Sequence, residues 1–190
     1  YITFDAYYLA IKIKKIFPNF VFNIIKKITN LYKVSENYIS TSTKLRRFFN
    51  SLHLDNKYLL PNWMGGLNKD DLNLLFDAKF SYIDIYKDLD FIFKKSDKSM
   101  RSAQLYYFKF YLPLILMKID QASMLNSVES RSPFLSKKII NFSLAQSINH
   151  IYKFMNKKYY LTKQFKNVLP KDVLRRKKHG FAFPKENILK

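Results

Sequence analysis

The stretch KIDQASMLNSVESRSPFLSKK, Lys118–Lys138, sets more polar groups beside apolar ones than any other part of the chain. On a helix, Asp120, Ser123 and Ser127 fall at i, i+3 and i+7 and share one face, leaving Leu116, Ile119 and Met124 to point into a core. The helix is expected to end before Ser132-Pro133, because a residue preceding proline disfavours helical dihedrals. Glu129 and Arg131 then alternate in an extended piece, where side chains two apart project to the same side, so an acid and a base pair. One reading is a buried or half-buried ion pair that fixes the turn into the helix after Ser136. The other is a polar cleft in which Asp120, Glu129 and Arg131 receive the ammonium and carboxylate of an amino acid. Spacing leaves both open.

The second set is LPKDVLRRKKHGFAFP, Leu169–Pro184. Pro170 suits a first helical turn, Asp172 favours the positive N-terminal end, and Arg175 to Lys178 crowd the negative end before Gly180. As structure alone this is a well-capped short helix. As chemistry, four consecutive cations beside a glycine make a place for phosphate, with a lysine able to neutralise charge developing during phosphoryl or adenylyl transfer.

The elements that must position these groups read as helices. The chain has 190 residues, 48% hydrophobic and 17% aromatic, enough core material to argue against disorder in spite of a net charge of +20. Three glycines and six prolines are too few for a glycine-rich nucleotide loop or a many-turned sandwich. With no cysteine, disulfides, thiolate metal ligands and a cysteine nucleophile are excluded from these residues, and a reducing, cytoplasmic setting is expected. No signal peptide is readable, and Tyr111–Met117, the most apolar run, is far shorter than the roughly 20 residues of a membrane span. The opening YITFDAYYLA reads as a start inside a longer protein.

Leu9, Ile13 and Ile16 predict a core-facing helix that Phe17-Pro18 ends, and Phe20, Ile24, Ile28 and Leu31 predict a second. Lys44 to Phe49 begins a basic amphipathic helix, better read as a solvated face than as a phosphate site. Leu60 to Gly66 is the strongest break in the first half. Beyond it, Asn68 caps a helix with Asp71 near its start and Leu72, Leu75 and Phe76 along it. Lys94–Ser102 reads as a connection between two helical halves.

The excess charge alone suggests nucleic acid, and a non-catalytic basic helical module that binds it is a rival reading. Scarce Arg beside plentiful Lys disfavours it, since base reading and bidentate phosphate recognition favour the planar guanidinium. The charge is concentrated: residues 153–190 hold twelve cations against Asp172 and Glu186 alone. That fits a solvated tail or a polyanion such as ATP.

The ordered set YLPLILMKIDQASM, SVESRSPFL, KKYYLTKQF and LPKDVLRRKKHGFAFP resembles the C-terminal part of the synthetase domain of glutamine-hydrolysing asparagine synthetases. The likeness covers residues 106–190, the motif-bearing part, and residues 1–105 fit the family's variable helical stretch loosely. It implies a mostly α fold: the helical C-terminal portion of an α/β adenine-nucleotide-binding synthetase domain of the PP-loop ATP pyrophosphatase kind. It implies a ligase that adenylates aspartate with ATP and Mg²⁺, then amidates it with ammonia from glutamine. The partners implied are an upstream PP-loop and a glutaminase domain, with no membrane. Lys178 falls on the lysine of R-x-K-x-G-F and would stabilise charge in the transition states, with Arg176 beside it. Asp120, Glu129, Arg131 and, on K-x-x-L, Lys158 match substrate- or ATP-site positions, and no metal ligand is implied. A homologous enzyme amidating another carboxylate, such as a surface-polysaccharide sugar acid or a β-lactam precursor, fits the same motifs.

The sequence departs from the family pattern at Gln121, Leu114, Ser136 and Thr162, where charged residues are usual. Ser136 remains able to cap the next helix. Neither an S-G-G-x-D-S loop nor the glutaminase cysteine occurs in the 190 residues, so the chain reads as a synthetase's C-terminal piece, inactive by itself.

Overall fold

The computed structural model describes residues 2–31, 41–65, 74–75, 87–95, 100–153, 156 and 158–176. Among these the chain is mostly helical, with no strand and a single isolated antiparallel bridge, Lys153 to Asn156.

Helix α1 (Ile2–Ile16) carries Asp5 in its first turn and Lys14 and Lys15 in its last, each charge opposing the nearer end of the helix dipole. Phe17-Pro18 ends it, and α2 (Asn19–Leu31) starts at once. Both helices lie where periodicity puts them, but turned. Tyr7 and Ala10 of α1 and Phe22 of α2 enter the core, whereas Leu9, Ile16, Phe20, Ile24 and Ile28 are exposed. The two helices are apolar on more than one face, so a stripe at three and four spacing does not say which face is covered.

Helix α3 (Thr41–Ser51) packs along α2 and leaves Lys44 and Arg47 in solvent, as its basic stretch predicts. Helix α4 (Asn56–Met64) runs through Leu60 and Pro61, so the break expected at Leu60 begins only at Gly65. Pro61 is buried and its carbonyl accepts from the Gly65 amide at 2.7 Å. The Trp63 indole N–H donates to Ser51 Oγ at 2.6 Å, the Ser51 hydroxyl donates to the Phe48 carbonyl at 2.8 Å, and the Trp63 ring stacks on Phe48. This gives the one polar atom of Trp63 a partner inside the core. Leu75 is helical and exposed; Asn68, Asp71, Leu72 and Phe76 lie outside the described residues, as does 96–99 of the expected connection.

Helix α5 (Lys87–Lys95) brings two first-turn carboxylates to cations on other elements: Asp90 to Lys57 at 2.6 Å and Asp88 to Lys109 at 3.5 Å. Helix α6 (Met100–Tyr106) closes the bundle with Met100, Ala103 and Tyr106 in the core beside Leu52, Leu59, Leu60, Trp63 and Leu89. It passes without interruption into a π-helical turn, Tyr107–Tyr111, and then α7 (Leu112–Met124). Pro113 explains the wide turn: it has no N–H to give to the carbonyl four residues back, and the Leu112 amide bonds Tyr107 instead.

The rest is a series of short elements: a 3₁₀ turn at Pro133–Leu135, then α8 (Lys137–Ala145), α9 (Ile148–Ile151), α10 (Tyr159–Gln164) and α11 (Lys171–Arg175). No described helix is long and apolar enough to cross a membrane.

Candidate functional site

Helix α7 projects from the bundle, and its polar residues meet the extended segment that follows it. Leu112, Ile115, Leu116, Ile119 and Leu135 line a groove of about 540 Å³ into which Asp120, Ser130 and Ser132 bring the polar groups. Apolar walls with a few convergent polar groups are the usual make-up of a small-molecule site. The expected core role of Leu116, Ile119 and Met124 is not what the described residues show: all three are exposed, the first two as walls of this groove.

Asp120 and Ser123 share a face, and the Ser123 hydroxyl donates to the Asp120 backbone carbonyl at 3.0 Å. Ser127 does not join them. The helix stops at Met124, and Ser127 takes a left-handed φ of 56° at the end of the turn, where the Val128 amide returns to the Ser123 carbonyl at 3.1 Å. A glycine is the usual residue there, and the serine bears the cost of the turn that swings the chain out of the helix axis.

Residues 128–132 follow outside any helix, with Ser132 extended, and the Glu129 and Arg131 side chains meet at 2.5 Å. The pairing follows the expected alternation, but the burial does not. Arg131 is 84% and Glu129 64% exposed, so the pair stands at the surface of this chain. Pro133 then starts the 3₁₀ turn, and Ser136 occupies the N-terminal cap of α8 through its backbone alone, with no side-chain capping bond. Of the departures from pattern, Gln121 and Leu114 are exposed on α7. The Thr162 hydroxyl turns back to the Lys158 carbonyl at 3.0 Å and the Tyr159 carbonyl at 2.9 Å.

Lys158 sits at the cap position of α10 and is exposed, as is Arg176 just after α11. Pro170 holds the cap position of α11 and Asp172 its first turn. Lys178 and Gly180 lie outside the described residues. Among those residues no hydrogen bond or ion pair joins Lys158 or Arg176 to Asp120, Glu129 or Arg131. Lys158, Lys163, Lys166, Lys171 and Arg176 are all exposed, and Asp172 is the carboxylate among the described residues of this stretch. No group of three or more histidines and carboxylates stands together among the described residues.

Two contacts had no signal in the spacing. Lys153 lies over the Tyr159 ring, its ammonium 4.2 Å from the centroid, and its hydrogen bond holds the Tyr159 phenol below its ordinary range. The Tyr152 hydroxyl donates to Asp5 Oδ1 at 2.6 Å, joining residues 147 positions apart. Burial and that bond push the Tyr152 phenol well above its ordinary range.

The family profile described as Asparagine synthase matches residues 25–190. Asparagine synthetase [glutamine-hydrolyzing] 1 of Bacillus subtilis (strain 168) is 42% identical over 78 residues, which is 40% of this chain and 12% of that protein. No solved structure matches the chain significantly. The chain thus spans a small part of the length of this relative, while the family profile runs through the groove, the Glu129–Arg131 pair and the basic C-terminal segment alike. On that breadth of match, the chain belongs to the asparagine synthase family.

Proposed function

We propose that this chain is the helical, motif-bearing part of a glutamine-dependent asparagine synthetase, with residues 106–190 carrying its share of the site. The observation that carries the reading is the family match across 166 residues, 25–190, which takes in every quoted motif. The relative's own name gives asparagine as the product and glutamine as what is hydrolysed. In the proposed reaction the side-chain carboxylate of aspartate attacks the α-phosphorus of ATP and displaces pyrophosphate. Ammonia from glutamine then attacks the acyl carbon and AMP leaves.

ATP supplies the adenylyl group that activates the carboxylate; the chain's residues supply charge and shape. Lys178 and Arg176 neutralise the phosphoryl oxygens, and Lys158 holds the phosphate side. Asp120 with Ser130 and Ser132 presents polar groups in the groove, and the exposed Glu129–Arg131 pair offers one charge to each end of an amino acid. The upstream PP-loop and the glutaminase domain belong to the same proposal.

The test is pyrophosphate release by the full-length protein given ATP and aspartate. Release with aspartate supports the reading; release with another acid and none with aspartate overturns it. Lys178→Ala is expected to lower kcat by about 10²- to 10³-fold, the scale on which one preorganised charge-stabilising donor acts. Undiminished turnover would remove Lys178 from the site.

A further inference from the structure

We infer that Tyr152 and Asp5 are positioning residues: the hydrogen bond between them sets where α10, with Lys158 at its cap, lies against α1. The nucleotide-facing part of this inference rests on the proposed function; the placement of α10 does not.

From Tyr107 to Arg176, Tyr152 is the only described residue that is buried. Its ring meets Phe4 edge-on at 5.0 Å and Tyr8 at 5.8 Å, and its hydroxyl reaches Asp5, which follows Phe4 and lies about one turn before Tyr8. Both members of the bond are 8% exposed, so water competes poorly for it, and a carboxylate acceptor makes it stronger than a bond between neutral groups. Ile148 and Ile151 pack against the core cluster that includes Tyr152, so α9 lies on the bundle.

Five residues separate this anchor from Lys158, and the described ones are tied together by backbone bonds. Lys153 and Asn156 exchange backbone hydrogen bonds at 2.8 and 3.4 Å, and the Tyr159 amide donates to the Asn156 carbonyl at 3.3 Å. The Tyr160 ring of α10 rests edge-on against His150 of α9 at 5.3 Å and against Phe142 of α8 at 5.7 Å. Upstream, Gln104 of α6 donates to Ser143 at 3.2 Å, and the Arg101 guanidinium reaches the Gln146 carbonyl, which ties α8 to the bundle. Helix α10 has no buried residue of its own, so its place depends on these contacts, and Tyr152 is the buried point at which its segment reaches α1.

The chain has no cysteine, so Lys15→Cys on α1 and Gln164→Cys on α10 give the full chain two unique sites for spin labels. The distance between them is expected to be narrowly distributed. Tyr152→Phe, which keeps the ring, and Asp5→Ala, which removes the acceptor, should both broaden it, and Asp5→Asn, which keeps an acceptor, should restore it. An unchanged distribution in Tyr152→Phe and Asp5→Ala, with helix content intact, overturns the inference. In the full-length enzyme, Tyr152→Phe should raise KM for ATP about tenfold, the equivalent of one charge-assisted hydrogen bond, and leave KM for glutamine alone. A broadened distance with an unmoved KM for ATP would deny Tyr152 its part in nucleotide placement. Absence of ATP-dependent turnover in the wild type would defeat the proposed function instead, and the distance would still decide the placement of α10.

Discussion

In the bundle of α1 to α6, Leu52, Leu59 and Leu60 are wholly buried, whereas on α7 and the turn after it Leu114, Leu125 and Val128 are 59%, 87% and 57% exposed. The residue types are the same; the difference is in the neighbours. Helix α4 touches α1, α3 and α5, so a leucine on it is enclosed from several sides. The main contact of α7 is the π-helical turn it grows out of. Burial is a property of the company a side chain keeps, and each buried aliphatic side chain is worth roughly 1.5–3 kcal/mol over an exposed one. Stability therefore sits in the first half of the described chain, and the groups suited to chemistry sit in the second, where Asp120, Glu129, Arg131, Lys158 and Arg176 are all exposed.

The largest expected effect tests that division directly. Leu59→Ala in α4 removes a fully enclosed side chain and should cost about 2–5 kcal/mol in urea denaturation, from lost transfer energy and the cavity left behind. Leu125→Ala, on the exposed turn, should stay within about 0.5 kcal/mol of the parent. Comparable losses in the two variants would mean that the second half is covered in solution and that the contrast does not hold.

Much of this division was open to reading in the sequence, and the failures have a common cause. Helix limits set by local chemistry came through: Phe17-Pro18 ends α1, Pro133 follows an extended segment, and the alternation of Glu129 and Arg131 pairs them. Which face is buried did not come through, because Phe20, Ile24 and Ile28 form as regular a stripe as the face that holds Phe22 and Ile25. Pro61 inside α4 and the left-handed Ser127 after α7 depend on packing and on a turn that no residue type announces. Of the site, the candidates were legible as types, and the groove that gathers Asp120, Ser130 and Ser132 was not, since Leu112 and Leu135 meet across a turn. Asp5 and Tyr152 are at opposite ends of the chain and share no period, so a single sequence holds no sign of their bond.

Two of the buried phenols, Tyr7 and Tyr152, sharpen the comparison through pH. Tyr7, in the bundle, has no hydrogen-bond partner for its hydroxyl among the described residues, and burial pushes it well above its ordinary range. Tyr152, at the joint between the halves, is raised by burial and by Asp5. In the unfolded chain both ionise near pH 10 while the folded chain keeps both protons. The unfolded state then binds fewer protons, so stability present below pH 10 is lost as pH rises beyond it, by about 1.4 kcal/mol per pH unit for each tyrosine. Tyr7→Phe should remove one share of that slope, and Tyr152→Phe the other. An alkaline limb unchanged in both variants would show that neither phenol is held neutral by the fold.

The smallest expected effect belongs to the Glu129–Arg131 pair, and its smallness is informative. The two side chains meet at 2.5 Å, yet both stand mostly in water, where a pair gains little Coulomb energy and pays to hold two long side chains in one geometry. A double-mutant cycle on Glu129→Gln and Arg131→Gln should therefore give a coupling of at most about 1 kcal/mol in stability, shrinking further as salt screens it. A coupling of several kcal/mol would return the pair to the role of a buried clamp on the turn into α8. If the coupling is small while either substitution raises KM for the amino-acid substrate, the pair is being held on the surface for a ligand. The contrast between the halves then extends to their charges: Lys57 and Asp90 in the bundle join α4 to α5, whereas Glu129 and Arg131, two residues apart, pair within one segment.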